Sequence, residues 1–248
     1  MVGHLKVAYQ NVCKSSTNAH TFLQWCWERK VDIVFIGEPW RSGEIKSSSF
    51  KDGTQLHDAY LLGAGETEKD MVVVYWRKKI AEEVKVIAAG KKEIWVKTGG
   101  VKIAGVYRRG EEGIPDLHEW TTSMEATARS GHRMALGDWN AHHTSWSLKD
   151  QSDRRGNYLH DLMQQEGYEL IQDNKEPTFK RGDQESRIDL VFATEGVVTQ
   201  PIIEEWPSSD HAAILTTMNT FFTLSSGQEE KKVVDKLSLE KLFKSMKK

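Results

Sequence analysis

Apolar, β-branched residues recur along this chain in short runs of strand length and strand composition, separated by polar stretches. Such runs cover Leu5 to Val12, Val31 to Gly37, Met71 to Trp76, Val84 to Ala88, Ile94 to Lys97, Val101 to Tyr107, Arg133 to Leu136, Arg187 to Ala193 and Ala212 to Met218. Helical spacing appears in three places. From Asn18, a capping residue, to Arg29, the side chains Phe22, Leu23, Cys26 and Trp27 share one face. Pro115 at a first-turn position opens a second helix to Arg129, and Gly156 to Glu166 forms a third with Leu159, Leu162 and Met163 inward. Strands outnumber helices, and Thr98-Gly99-Gly100 separates two of them in a hairpin-like way. The pattern predicts an α/β (α+β) protein with mixed or antiparallel sheets rather than a doubly wound parallel sheet. Residues 1–218 read as one domain. Residues 219–248 change texture, with a polar linker from Leu224 to Lys232 and an amphipathic lysine-rich helix from Lys236 to Lys248 carrying Leu237, Leu239, Leu242 and Phe243.

Composition narrows the class. The 248 residues are 38% hydrophobic and 28% charged, with mean hydropathy −0.57, which suits a globular chain with a sizeable core and excludes disordered and fibrous classes. No apolar run approaches the ~20 residues that span a bilayer. The first residues run straight into a strand without the zones of a signal peptide, so secretion is not expected. Two cysteines, Cys13 and Cys26, lie in no metal-ligand spacing, so neither a disulfide framework nor a structural zinc is expected, and a reducing compartment is the default. Lys plus Arg number 34 against 36 Asp plus Glu, a formal charge of −2. Any grip on nucleic acid must therefore come from local clusters such as Arg108-Arg109 and Lys180-Arg181.

Polar residues collect where strands end. Gly137-Asp138-Trp139-Asn140-Ala141-His142-His143 follows the run Met134 to Leu136 and sets Asp138 and Asn140 two apart, on one face if the chain stays extended. Ser208-Ser209-Asp210-His211 borders another run and joins a carboxylate to an imidazole that can work near neutral pH. Asp189 lies inside the apolar stretch Ser186-Arg187-Ile188-Asp189-Leu190-Val191-Phe192, and a carboxylate buried there needs a partner, for which His211 is the natural candidate. Glu38 in Gly37-Glu38-Pro39-Trp40, Asn11 after Gln10, and Tyr107 before Arg108 close three further runs. Oxygen ligands of this kind suit a hard cation such as Mg²⁺ rather than zinc.

Taken together these elements resemble the endonuclease/exonuclease/phosphatase superfamily, and within it the apurinic-like endonuclease domains of non-LTR (LINE-type) retrotransposons. The resemblance covers about residues 5–218. It rests on Gln10-Asn11-Val12, Gly37-Glu38-Pro39-Trp40, Val106-Tyr107-Arg108, Gly137 to His143 with Trp146, Arg155-Gly156-Asn157-Tyr158-Leu159, Pro177-Thr178-Phe179, Ser186-Arg187-Ile188-Asp189 and Ser209-Asp210-His211. The Asn-Ala-His-His-x-x-Trp and Arg-Gly-x-x-Leu elements favour the retrotransposon branch. Asp70-Met71, where relatives often carry a Gly-Gly pair, and Trp139, where Phe is more usual, depart from the pattern.

The resemblance implies a four-layer α/β sandwich and a Mg²⁺-dependent DNA endonuclease, with Mn²⁺ as an alternative metal, that nicks one strand and leaves a 3′-hydroxyl for target-primed reverse transcription. Glu38, Asn11 and Asp210 would hold the cation. Asp138 would activate water, Asn140 would orient it, and His211 held by Asp189 would stabilise the transition state, with Tyr107 donating to a phosphate oxygen. Thr178, Ser186, Ser209 and Arg108 would bind substrate. Double-stranded DNA, a reverse-transcriptase domain in a longer protein, a monomeric state, no membrane partner and a nuclear location follow as expectations. The alternatives are a catalytically inactive or host-adopted binding module of the same fold and a phosphodiesterase acting on another phosphate ester.

Overall fold

The computed structural model describes residues 3–40, 47–48, 51–52, 55–56, 60–65, 67, 69–172, 176–198 and 203–220. Its principal strands, in chain order, begin with β1 (Gly3–Asn11), β2 (Ile33–Gly37), β3 (Tyr60–Ala64), β4 (Val72–Arg77), β5 (Lys85–Ala89), β6 (Glu93–Thr98) and β7 (Val101–Tyr107). They continue with β8 (His132–Asp138), β9 (Glu169–Leu170), β10 (Phe179–Arg181), β11 (Gln184–Ser186), β12 (Asp189–Ala193), β13 (Ile203–Glu205) and β14 (Ala213–Thr220). Three α-helices stand among the described residues: α1 (Ser16–Glu28), α2 (Gly113–Ala128) and α3 (Arg154–Gln165). The last strand reaches Thr220, and the remainder of the expected linker and the terminal helix lie outside the described residues.

Two mixed sheets form the body. One has the order β13-β14-β1-β2-β4-β3, extended by the two-residue strand Ser47–Ser48, and the other β9-β12-β8-β7-β6-β5. Within them β1 and β2 pair in parallel, as do β7 and β8, and the other neighbours are antiparallel.

Alternation along β1 explains the layering. Val7 and Tyr9 point between the sheets, where they meet Ile33, Phe35, Ile94, Val96, Ile103, Met134 and Leu136 in one core. Ala8 points the other way, onto α1 through Phe22, Leu23 and Cys26. On the far side α2 and α3 lay Leu117, Trp120, Met124, Leu159 and Met163 over Trp95, Ala104 and Ala135. Helix, sheet, sheet, helices is the four-layer sandwich expected. Because both sheet faces are covered, β2 is buried at every position and reads as an unbroken apolar run. Most tryptophans serve this packing: Trp95 stacks on Trp120, whose ring meets Trp139 edge-on, both pairs at 5.1 Å.

Local chemistry moved several boundaries. Asn18 does not cap α1: Ser15 does, accepting the Asn18 N–H at 3.2 Å, while the Asn18 side chain donates to the Val12 carbonyl. Asp153 caps α3, which begins at Arg154, two residues before the expected start, and accepts from the Gly156 N–H at 2.6 Å. The hairpin β10–β11 was not visible in the pattern, because Phe-Lys-Arg-Gly-Asp-Gln-Glu-Ser carries no apolar alternation.

Candidate active site

Two parallel pairs align strand ends. Asn11 registers with Gly37 across β1 and β2, and Tyr107 with Asp138 across β7 and β8, so the C-terminal ends of four strands reach one rim of the sandwich. The antiparallel strands β12 and β14 begin where those end, which brings Asp189 and His211 to the same place. A cleft of about 800 Å³ opens there, lined in part by Asn11, Glu38, Tyr107, Asp138, Asn140 and His211.

Glu38 turns out of β2 in the left-handed region, φ +42°, a conformation that costs a side-chain-bearing residue of order 1 kcal/mol. Its N–H donates to the Met71 carbonyl and its own carbonyl accepts from Lys14 N–H, at 2.9 and 2.8 Å, which holds the turn. The preceding Gly37 is required by space: a Cβ there would lie 2.1 Å from the Tyr9 hydroxyl oxygen. Tyr107 shares a hydrogen bond with the Glu38 carboxylate, and burial first, then Glu38, pushes its phenol well above the usual range.

Asp138 is buried and accepts from Asn11 Nδ2 at 3.1 Å on one oxygen and from the Asn140 N–H at 3.1 Å on the other. Burial, then the nearby Asp189 charge, pushes its carboxyl up to about 7. Asn140 is not the extended continuation expected from the spacing. It lies at φ +45° in a turn closed by that N–H bond, and its Nδ2 donates to the Arg108 carbonyl at 2.8 Å. Both Asp138 and Asn140 nevertheless face the cleft.

His211 Nδ1 lies 2.9 Å from Asp189 Oδ2 and 3.2 Å from Oδ1. A carboxylate can only accept here, so Nδ1 carries the proton and Nε2 is the nitrogen left for the cleft. Burial pulls the imidazolium down, but the Asp189 charge and hydrogen bond outweigh it and raise His211 to about 9.

The expected substrate-binding residues separate. Ser186 lines the cleft. Thr178 is fully buried, and its Oγ1 accepts from the backbone N–H groups of Ile188 and Asp189, so it braces Asp189 rather than touching ligand. Ser209 Oγ donates to the Asn11 carbonyl at 2.7 Å and accepts from the His211 N–H, tying β1 to the histidine. Arg108 is corrected by the structure: it is 1% exposed and turned away from the cleft, paired with Glu93 and with Asp116. Its neighbour Arg109 lines the cleft instead. Trp40 packs near His20 at 6.1 Å and is not among the cleft-lining residues.

Asp210 also has a different setting from the expected metal ligand. Its Oδ1 accepts from the Cys13 thiol at 2.8 Å and its Oδ2 from Arg181 Nε at 2.7 Å, so both oxygens are engaged and the carboxylate pins the β10–β11 hairpin to the rim. Burial raises its pKa, but Cys13 and Arg181 prevail and hold it below the ordinary range. Arg181, from one of the basic clusters, and Phe179, from the Pro177-Thr178-Phe179 motif, line the cleft as well, as do Cys13 and Lys14, which the sequence does not single out as site residues. For Cys13 and Lys14, position just beyond a strand-end Asn was the available signal.

The remaining carboxylates suit a hard cation. Asp138, Asp189 and His211 offer ligand atoms within 4.8 Å of one another, and burial first, then the Asp189 charge, raises Asp138, so a cation at the cleft would favour its ionised form. Asp189 is already committed to His211, which leaves Glu38 and Asp138, with Asn11 between β1 and the cleft, as the oxygen donors available.

The fold is the four-layer α/β sandwich seen in the solved nuclease and phosphatase structures that follow. Residues 101–215 match the family model described as endonuclease-reverse transcriptase. Among solved structures the chain is similar to the endonuclease domain of TRAS1, a telomere-specific non-LTR retrotransposon, at 18% identity over 88% of this chain and 99% of that one, TM-score 0.67. It is also similar to an AP endonuclease from Archaeoglobus fulgidus and to the 3′ phosphatase NExo from Neisseria bound to a product DNA hairpin, each at 14% identity, 86% and 98% coverage and TM-score 0.59. No curated protein matches the chain. The resemblance read from the motifs is thus borne out by a family model and by the fold.

Proposed function

We propose that this chain is a Mg²⁺-dependent endonuclease, with Mn²⁺ as an alternative, that nicks one strand of duplex DNA and leaves a 3′-hydroxyl. The observation that carries the reading is the meeting of Asp138, Asn140 and the Asp189–His211 pair with Glu38 in one open cleft. The match to a model described as endonuclease-reverse transcriptase supports a longer protein in which a reverse transcriptase extends that hydroxyl, and a nuclear location follows only from the proposed DNA substrate.

The geometry supports the following roles. Glu38, with Asn11 beside it, would hold a divalent cation, which when bound would supply charge neutralisation at the scissile phosphate. Asp138, whose raised pKa makes it a competent base near neutrality, takes a proton from the attacking water. Asn140, fixed through Arg108, orients that water. Water oxygen bonds to phosphorus as its proton passes to Asp138, the bond to the 3′ oxygen breaks, and that oxygen takes a proton from solvent in the open cleft to become the 3′-hydroxyl. His211, held protonated by Asp189, stabilises charge on the non-bridging oxygens, and Tyr107, hydrogen-bonded to the Glu38 carboxylate, positions that group at the cleft. Lys14, Arg109 and Arg181 supply positive charge along the walls.

Conversion of supercoiled plasmid to open circles tests the proposal. Nicking should require Mg²⁺, stop with EDTA and be lost in Glu38→Ala. A folded chain that does not nick would shift the reading to a binding module or to another phosphate ester.

A further inference from the structure

The Arg155-Gly156 element has no part in the chemistry above, yet the Arg155 side chain reaches the catalytic turn. We propose that Arg155, backed by Asp116, is the positioning residue that holds the turn Asp138–Asn140 in its reactive geometry. The inference rests on the endonuclease reading of that turn.

Arg155 stands in the first turn of α3 and is 6% exposed. Its Nε donates to the Asn140 carbonyl and its Nη2 to the Trp139 carbonyl, both at 3.2 Å, while Nη1 donates to the Gly113 carbonyl. Nη2 also meets Asp116 Oδ2 at 3.4 Å. One planar fork therefore spans two carbonyls of the turn and the start of α2, a set that the single ammonium of a lysine cannot reproduce. Asp116, itself buried, is shared with Lys92 at 2.7 Å and Arg108 at 3.3 Å.

The turn is gripped from its other side by the backbone of Arg108, whose N–H donates to the Asp138 carbonyl at 2.8 Å and whose carbonyl accepts Asn140 Nδ2. Arg108 thus holds the Asn140 side chain and Arg155 its carbonyl, and Asp116 joins the two guanidinium groups. Asn140 needs such support because it sits at φ +45°. Docking of α3 alone does not account for Arg155, since Asp153, Gly156, Leu159 and Met163 already dock it without touching the Asn140 carbonyl.

The test compares wild type with Arg155→Ala and Arg155→Lys in plasmid-nicking kinetics and in backbone amide exchange at Asn140. Displacement of the turn should lower kcat roughly a hundredfold with KM changed less than about threefold, and a few millimolar guanidinium chloride should restore about tenfold of the loss in Arg155→Ala but not in Arg155→Lys. Asn140 exchange should quicken about tenfold while the middle of α3 stays protected. Wild-type turnover and exchange in Arg155→Lys would overturn the proposal, as would loss of α3 protection in step with kcat and no rescue. If Arg155→Ala does not fold, the isosteric Asp116→Asn carries the same measurements. Should wild type itself fail to nick, the endonuclease reading falls on its own, and Asn140 exchange still decides the clamp.

Discussion

Asp138 and Asp189 stand directly opposite one another on the antiparallel strands β8 and β12, two buried carboxylates in register at the rim of one sheet. Like charges so placed oppose each other, and the surroundings resolve the conflict unequally. Asp189 is given a histidine, while Asp138 is given neutral donors from Asn11 and the Asn140 backbone. One carboxylate thereby becomes half of an ion pair and the other a base with a raised pKa.

This asymmetry makes Asp138 costly to the fold. Its folded pKa of about 7 lies above the ordinary carboxylate value, so its contribution to stability is present at low pH and is lost as pH rises toward and through 7. Asp138→Asn should therefore be more stable than wild type by about 1 kcal/mol at pH 8 in the absence of metal, with the advantage vanishing near pH 4, while nicking is abolished. Urea unfolding at the two pH values checks the sign. Equal gains at both would remove the charge argument.

For His211 the dependence runs in the same direction but over a higher pH range. With a folded pKa of about 9 against 6.5 unfolded, the pair with Asp189 stabilises fully below pH 6.5 and loses that contribution as pH climbs through 9. The cost of His211→Gln should be about 2 kcal/mol greater at pH 6 than at pH 10. An imidazole titration followed by NMR gives the midpoint directly, and a value at or below 6.5 would contradict the pairing.

Activity should treat the two residues as one unit. Asp189→Asn and His211→Ala are each expected to reduce kcat by about two to three orders of magnitude, and the double variant to lose little more than either alone. Losses that multiply would show that they act separately.

Gly156 supplies a structural control. A Cβ there would come within 1.7 Å of the His142 carbonyl oxygen, a backbone atom that cannot yield. Gly156→Ala should destabilise by about 2–4 kcal/mol. Gly167→Ala offers a contrast, since nothing lies within 4 Å of the added carbon and the strain comes only from φ +71°. Differential scanning calorimetry of the two should show the larger fall in Gly156→Ala.

The strand ends bearing Asn11, Glu38, Tyr107, Asp138, Asp189 and His211 were legible in the chain, because alternation and apolar runs are local properties that stop where a strand stops. The three helices were legible for the same reason, to within a few residues. What the hydrophobic pattern could not carry is what each polar side chain meets. Arg108 and Arg109 are neighbours of one composition, yet only the packing of α2 against β7 turns the first inward onto Asp116 and leaves the second in the cleft. Asp210 looked like a ligand until Cys13 and Arg181, from two other elements, took both its oxygens. The grip of Arg155 on the Asn140 carbonyl and the left-handed turn it supports belong to the same kind. Secondary structure follows from short-range periodicity, whereas the direction of a buried charge follows from partners brought near by the fold from distant parts of the chain, and only the tertiary structure decides those.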